Sequence, residues 1–383
     1  MWEYVAGMED YKAASPLYSG SEGDLTLSTL HYVLLPIWWS DEDPSDPNLT
    51  MDPNQLEGIM QQNQDYYLDM SWDKMDVTFE IMPQTLFPVS SDGPSFGDTS
   101  DAARTIVTDA GLVEDVDYNG IALIYFVAQS GPFAGGGGWA SVNGDFMWMS
   151  YQIGLAVTRH EGKLTMTNLI RFNLKFSHLT SLLSLIVFLH YTVGHNFGHP
   201  HHLSISYTYR DTRPSGGEGT APYDGFDMMS GGNGFTISDF AVASKWFFNW
   251  IPDEAIILMQ PEGSTEECPS CLDSGQFTLK AFDDRDVVPS ASNKMGIHIP
   301  ISTNGNTLYS YWLTYRGAGN DGKAAEGLSV HLSWFNVGGI FGTSYDSMNY
   351  DAFGDTFGTV RNILRFLFLC THIMFNICNL NCL

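Results

Sequence analysis

The run Val193-Gly194-His195-Asn196-Phe197-Gly198-His199-Pro200-His201-His202 constrains this chain more than any other feature, because it is the second half of a metal-ligating pattern. The first half, His160-Glu161, stands about thirty residues upstream. With residues 162–192 taken out, the halves fuse into His-Glu-Val-Gly-His-Asn-Phe-Gly-His-Pro-His-His, which fills every position of H-E-x-x-H-x-x-G-x-x-H. His160 and His195 then stand four residues apart, close to one helical turn, so both imidazoles point at a single ion. Glu161, beside the first ligand, faces the water on the metal rather than the metal itself. Gly198 lets the backbone leave the helix sharply, since glycine alone adopts positive φ freely. The returning chain brings His201 as third ligand and leaves a coordination position open. The pattern makes no demand at His199 or His202, although His202 can compete for the third position.

The intervening segment does not match its surroundings. Residues 162–192 contain no Asp or Glu, whereas the whole chain carries 44 acidic against 17 basic side chains and a formal charge of −27. The stretch from Gly358 to the end, 358–383, is equally free of acids and equally rich in Leu, Phe, Ile and Asn. Neither makes a stable membrane span: the apolar run 179–189 falls far short of the ~20 residues a bilayer needs. Arg365, His372, Asn376 and Asn379 interrupt the tail. A translated intron explains both stretches better. Gly162-Lys163 can be encoded across a splice donor, G|GTAAG, and Thr192-Val193 across an acceptor, ACAG|TN. Joining them restores a Val codon in frame, and the same excision repairs the metal pattern. Residues 162–192 are therefore read as retained intron and 358–383 as a read-through tail.

The repaired block, the preceding Gly135-Gly136-Gly137-Gly138-Trp139-Ala140 and the downstream Tyr223-Asp224-Gly225-Phe226-Asp227-Met228-Met229-Ser230-Gly231-Gly232 resemble the gametolysin family, peptidase family M11, of the metzincin type. The likeness spans about 29–251 and extends towards Asp355. It implies a secreted zinc endopeptidase that cleaves protein or glycoprotein of walls and matrix. On that resemblance His160, His195 and His201 hold Zn2+, Glu161 is the general base, and Met229 forms the turn beneath the metal. The departure is the interruption after Glu161. As written, 179–195 can continue as one helix, which puts Tyr191 and Thr192 where His and Glu belong. Feeble zinc binding is the expectation for the sequence as written, with 162–192 in place. The alternative is a catalytically dead wall- or matrix-binding relative, or a histidine cluster that binds metal for structure only.

Around this motif the expected fold class is α+β: a metzincin-like protease domain over 29–251, with a mixed sheet and an active-site helix, then a β-sandwich-like region over 252–357. Residues 1–28 are read as an N-terminal remnant. Apolar runs or period-two alternation predict strands over 31–39, 75–81 and 120–128, and helical periodicity predicts helices over 54–67 and 102–110. An acidic, Pro-broken loop separates the first pair over 41–47. A helix over 237–250 is expected, with Ser238-Asp239 near its start and Pro252 closing it. Strands follow over 277–282, 295–301, 308–315 and 328–335, separated by Gly/Asn turns. The glycines of 131–138 read as a substrate-cleft edge or a surface turn. They lack the Lys and helix start of a phosphate loop.

So acidic a chain repels nucleic acid and anionic lipid, which excludes those partners. With only 16% charged residues and 38 glycines, it suits a loop-rich extracellular protein. Met1-Trp2-Glu3-Tyr4 lacks the basic and apolar regions of a leader, so an exported form is expected to have a longer N-terminus. Cys268 and Cys271 form a lone C-P-S-C, read as a disulfide-pinned loop because no second pair completes a zinc site. No residue pattern fixes an oligomeric state.

Overall fold

Strand β1 (Ser28–Trp38) carries Val33, Leu34, Leu35 and Ile37 at zero exposure, on both faces of the strand. Unbroken apolar sequence of this kind belongs to a parallel sheet covered on both sides. The computed structural model describes residues 28–126, 138–140, 145–151, 194, 196, 203–204, 228, 239–259, 275–304, 307–317, 327–336 and 345–350. Two compact units emerge: Glu22–His199 with Gly234–Ile237, and Met1–Ser21 with Pro200–Asn233 and Ser238–Leu383.

In the first unit β1 leads to helix α1 (Pro53–Ser71). Asp52 caps it, its carboxylate accepting from the Asn54 amide, and Pro53 occupies the first turn, where no amide proton is needed. Leu56, Ile59, Met60, Asn63 and Tyr67 fall on the buried stripe, at the 3–4 spacing of an amphipathic helix. The helix runs a turn beyond the predicted residue 67 and stops where Trp72 turns left-handed at φ 53°. Strand β2 (Met75–Ile81) has the predicted bounds, and the short β3 (Thr85–Leu86) follows.

Helix α2 (Phe96–Asp109) starts earlier than predicted, because Ser95 and Asp98 form a reciprocal cap. The Asp98 amide donates to Ser95 Oγ at 3.1 Å, and that hydroxyl donates to Asp98 Oδ2 at 2.7 Å. Strands β4 (Gly120–Tyr125), β5 (Gly138–Ala140) and β6 (Phe146–Ser150) complete the sheet. Its order is β2-β1-β4-β6-β5, with β3 on β1. All pairings are parallel except β5 on β6, so the expected mixed sheet is present. Ala103 and Val107 of α2 join Val33, Leu35, Leu123 and Trp148 in the core on one face. Helix α1 lies against β2.

The second unit begins with β7 (Leu203–Ser204) and continues through a short helix, α3 (Val242–Phe247). The predicted helix over 237–250 is thus cut to six residues. Asp239 is no exposed cap: it is 5% exposed and its carboxylate is taken by buried cations, while Ala241 at ψ 151° keeps the chain extended up to Val242. Strands β8 (Ile256–Leu258), β9 (Gly296–Asn304), β10 (Thr307–Arg316), β11 (Gly327–Asn336) and β12 (Tyr345–Tyr350) follow. They form one sheet, β7-β12-β11-β10-β9-β8, antiparallel from β9 to β12 and parallel at both edges. Residues 277–282 were expected as a strand but make only a bridge, Ala281 to Tyr315. A second sheet facing the first, as in a sandwich, is not found among the described residues. Trp246 of α3 packs on Trp312 and His298, their rings 5.4 and 6.1 Å away, which fixes the helix on β9 and β10.

Gly120 marks the tightest approach in the first sheet. A Cβ there would lie 2.6 Å from the Tyr32 ring and 2.7 Å from the Asp145 carbonyl oxygen. Because the second obstacle is backbone, Gly120→Ala is expected to cost about 1–3 kcal/mol. A urea unfolding midpoint equal to that of the unaltered chain would remove this contact as a constraint.

Candidate metal centre

The residues singled out by the motif, His160, Glu161, His195, His201 and Met229, all lie outside the described residues, as do Cys268, Cys271, 162–192 and 358–383. Their immediate neighbours are described in part. Gly194 and Asn196, on either side of His195, are both helical. Asn196 is 4% exposed, and its side-chain amide approaches the Phe146 carbonyl of β6 at 3.5 Å. That long contact turns one position of the motif towards the sheet, a role the ligand pattern does not reveal. Among the described residues no three His, Cys, Asp or Glu side chains gather to hold a metal. The donor set named by the sequence, three neutral imidazoles beside one carboxylate, matches zinc in ligand type.

On the Met229 side, Met228 is buried at 4% exposure, and its amide donates to the Asp239 carbonyl at 3.0 Å. The Asp239 carboxylate is in turn surrounded. Oδ1 accepts from the Phe240 amide at 2.8 Å and lies 2.8 Å from Lys245 Nζ. Oδ2 accepts from Lys245 Nζ at 2.9 Å and from Arg285 Nη2 at 2.8 Å. Arg316 covers the Phe282 ring at 4.9 Å, with Lys245 at 5.8 Å from the same ring.

Electrostatics inside this group follow from the excess of cations. Burial pushes the Asp239 carboxyl up, but Arg285 and Lys245 together outweigh it and hold the group below the usual carboxylate range. Burial pulls the Lys245 ammonium down to about 7; the neighbouring Arg285 and Arg316 add to that, and Asp239 opposes it. Lys245 is the easiest of the three cations to discharge, because the guanidiniums keep their protons.

A second charged group ties the first sheet together. Arg104 of α2 donates Nη1 to both oxygens of Glu114 at 3.0 Å and Nη2 to Asp145 Oδ1 at 2.7 Å. A hydrogen bond to Asp145, then burial, raises Glu114. Burial would raise Asp145 too, yet the hydrogen bonds from Glu114 and Arg104 bring it below its ordinary value. Because Asp145 precedes β6, this group sets the position of the strand that Asn196 contacts.

No protein-family model matches the chain, and no curated protein matches it. Among solved structures, archaemetzincin from Methanopyrus kandleri gives a TM-score of 0.29 at 11% identity, over 60% of this chain and 97% of that one. A chaperone–substrate complex gives 0.30 at 12% identity, over 58% of this chain and 35% of the other. OgpA from Akkermansia muciniphila gives 0.34 at 8% identity, over 87% and 98% of the two chains. Likeness at this level assigns neither family nor activity, so the function rests on the chain's own residues.

The Asp239 group carries a pH signature. Its carboxyl sits below the ordinary 3.8, so it contributes stability that is present above that value and lost as pH falls through the folded-state value. Asp239→Asn should lower stability at pH 7 by about 3–5 kcal/mol, since Arg285 loses its buried counter-charge and Lys245 must shed its proton. The variant should also lose part of the acid dependence. Guanidinium titrations at pH 7 and pH 3 measure both, and an unchanged acid arm would contradict this assignment.

Proposed function

We propose that this chain derives from a zinc-dependent metalloendopeptidase of the gametolysin type, acting on extracellular protein or glycoprotein, with its metal motif split by residues 162–192. One observation carries the reading: a single in-frame excision restores every position of H-E-x-x-H-x-x-G-x-x-H, with a Met-Met-Ser-Gly-Gly turn following. The helical state of Gly194 and Asn196 and the mixed sheet ahead of them support it. The protease domain is proposed over 29–251 and the β-rich region over 252–357, where a sandwich would need a second sheet. No helix among the described residues is long and apolar enough to cross a membrane.

His160, His195 and His201 would hold the ion through neutral imidazole nitrogens. When bound, zinc supplies a Lewis acid and lowers the pKa of a coordinated water to about 7. Glu161 accepts the proton of the attacking water and returns it to the leaving amine, so the carboxylate must be ionised at the start and free to swing between the two. Strand β5 ends the sheet order, so an extended peptide can add along its edge through backbone hydrogen bonds. The glycines of 131–138 that lead into it are taken as the cleft edge.

In the sequence as it stands Val193 would have to follow Glu161 with a rise of about 1.5 Å. Closing the intervening loop costs only a few kcal/mol, roughly, so length is not the obstacle. The obstacle is the helix that 179–195 can form, which offers Tyr191 and Thr192 in place of ligand and base. That substitution favours a second reading, a matrix-binding protein whose peptidase site is dead.

Removal of 162–192 should give a protein that binds one zinc and cleaves a denatured glycoprotein, while the unaltered chain binds zinc feebly and turns over little. Glu161→Gln in the shortened chain should keep the metal and lose about 10²–10⁴ in rate. Isothermal titration and a cleavage assay read both. A shortened chain that is folded yet zinc-free and inactive defeats the proposal, and one in which Glu161→Gln changes nothing supports the dead-site reading.

A further inference from the structure

We infer that Asn48, on the loop between β1 and α1, is the attachment site of an N-linked glycan. This rests on the extracellular part of the proposed function, since only a chain entering the secretory route meets the transferring enzyme. Asn48-Leu49-Thr50 is the single N-x-S/T sequon in the chain, and its middle residue is not Pro. A triplet of this kind arises easily by chance, so its place in the fold has to carry the assignment. Asn48 and Thr50 are both exposed, whereas Leu49 between them is partly buried. Gln84 explains the difference. Its Nε2 donates to the Leu49 carbonyl at 2.9 Å and to the Ile37 carbonyl of β1 at 3.3 Å, and its Oε1 accepts from the Met51 amide at 2.8 Å. The back of the loop is thereby tied to the sheet, and the two residues that define the sequon are left facing water.

Asp46 fixes the direction of the acceptor nitrogen. Pro47–Leu49 form a 3-10 turn capped by Asp46, whose Oδ1 accepts from the Asn48 backbone amide at 2.9 Å and from Asn48 Nδ2 at 2.8 Å. Nδ2 has two protons, and this contact uses one of them. In the transfer, Nδ2 bonds to the anomeric carbon of an N-acetylhexosamine carried on a lipid-linked oligosaccharide diphosphate. The bond from that carbon to the diphosphate oxygen breaks with its electron pair, and Nδ2 gives up its second proton to the solvent. Nothing is oxidised or reduced. The remaining N–H can still donate to Asp46, so the turn outlasts the modification. Room is not limiting either, because residues 43–45, 47, 48 and 50 are all exposed and a bulky polar group there meets solvent.

The test translates the full chain behind a cleavable secretion leader in a cell-free system supplied with microsomes. The chain should gain the mass of one glycan. Peptide N-glycosidase should remove it and convert that Asn to Asp, as read by tandem mass spectrometry. Asn48→Gln and Thr50→Ala should each abolish the shift, and Thr50→Ser should keep it. The native glycosylated chain should be retained by a mannose-binding lectin, as an exposed loop requires. An unshifted parent, a shift that survives Asn48→Gln, or a glycan that the lectin meets only after denaturation overturns the inference. Because the leader is supplied and attachment precedes export, these readouts do not depend on zinc. An unshifted parent thus overturns the site and leaves the peptidase reading standing, whereas a chain lacking 162–192 that binds no zinc does the reverse. Asn48→Gln in that shortened chain should leave its zinc affinity unchanged.

Discussion

A parallel strand hides both of its faces, and β1 shows what this demands of the first unit. It pairs along both edges, with β2 and β3 on one side and β4 on the other, and its central residues have no exposure at all. Helices must therefore supply the cover, as Ala103 and Val107 of α2 do over one face. Strand β4 has to lie close enough for hydrogen bonding beside Tyr32, which leaves no room for a side chain at its first residue. Arg104 then locks α2 to the start of β6 through Asp145, so helix and sheet are in register at the strand that the motif's Asn196 meets.

Much of this was legible in local sequence. Strand β2 and the body of α1 were readable because alternation and apolar 3–4 spacing are properties of nearby residues. The helix ends were less so: Trp72 in a left-handed conformation carries no compositional signal, and Gly97 obscures the Ser95-Asp98 cap. Strand β6, Phe-Met-Trp-Met-Ser, has side chains equally at home in a helix, and only its neighbours β4 and β5 make it a strand. The ligand set proposed from the motif lies outside the described residues. Asp239 was misread as a helix start because its true partner Arg285 is far along the chain.

Charge is distributed with a bias that composition hides. The chain has only 17 basic residues and a net charge of −27, yet Lys245, Arg285 and Arg316 gather about the buried Asp239 and Phe282. Elsewhere carboxylates cap helices or turn loops in contact with water, as Asp46, Asp52 and Asp98 do. At Asp239, three of these scarce cations therefore stand where desolvation makes their charge count.

Strand β7 begins two residues after His201 and pairs with β12, which comes more than 140 residues later. During synthesis on the ribosome, the stretch that follows the histidine motif is thus extruded long before the neighbour that will hold its backbone. In the sheet Leu203 and Ser204 sit at one edge, on β12 alone. A nascent chain that stops short of Tyr345 would carry every histidine of the motif, yet leave Leu203 and Ser204 with no strand to join.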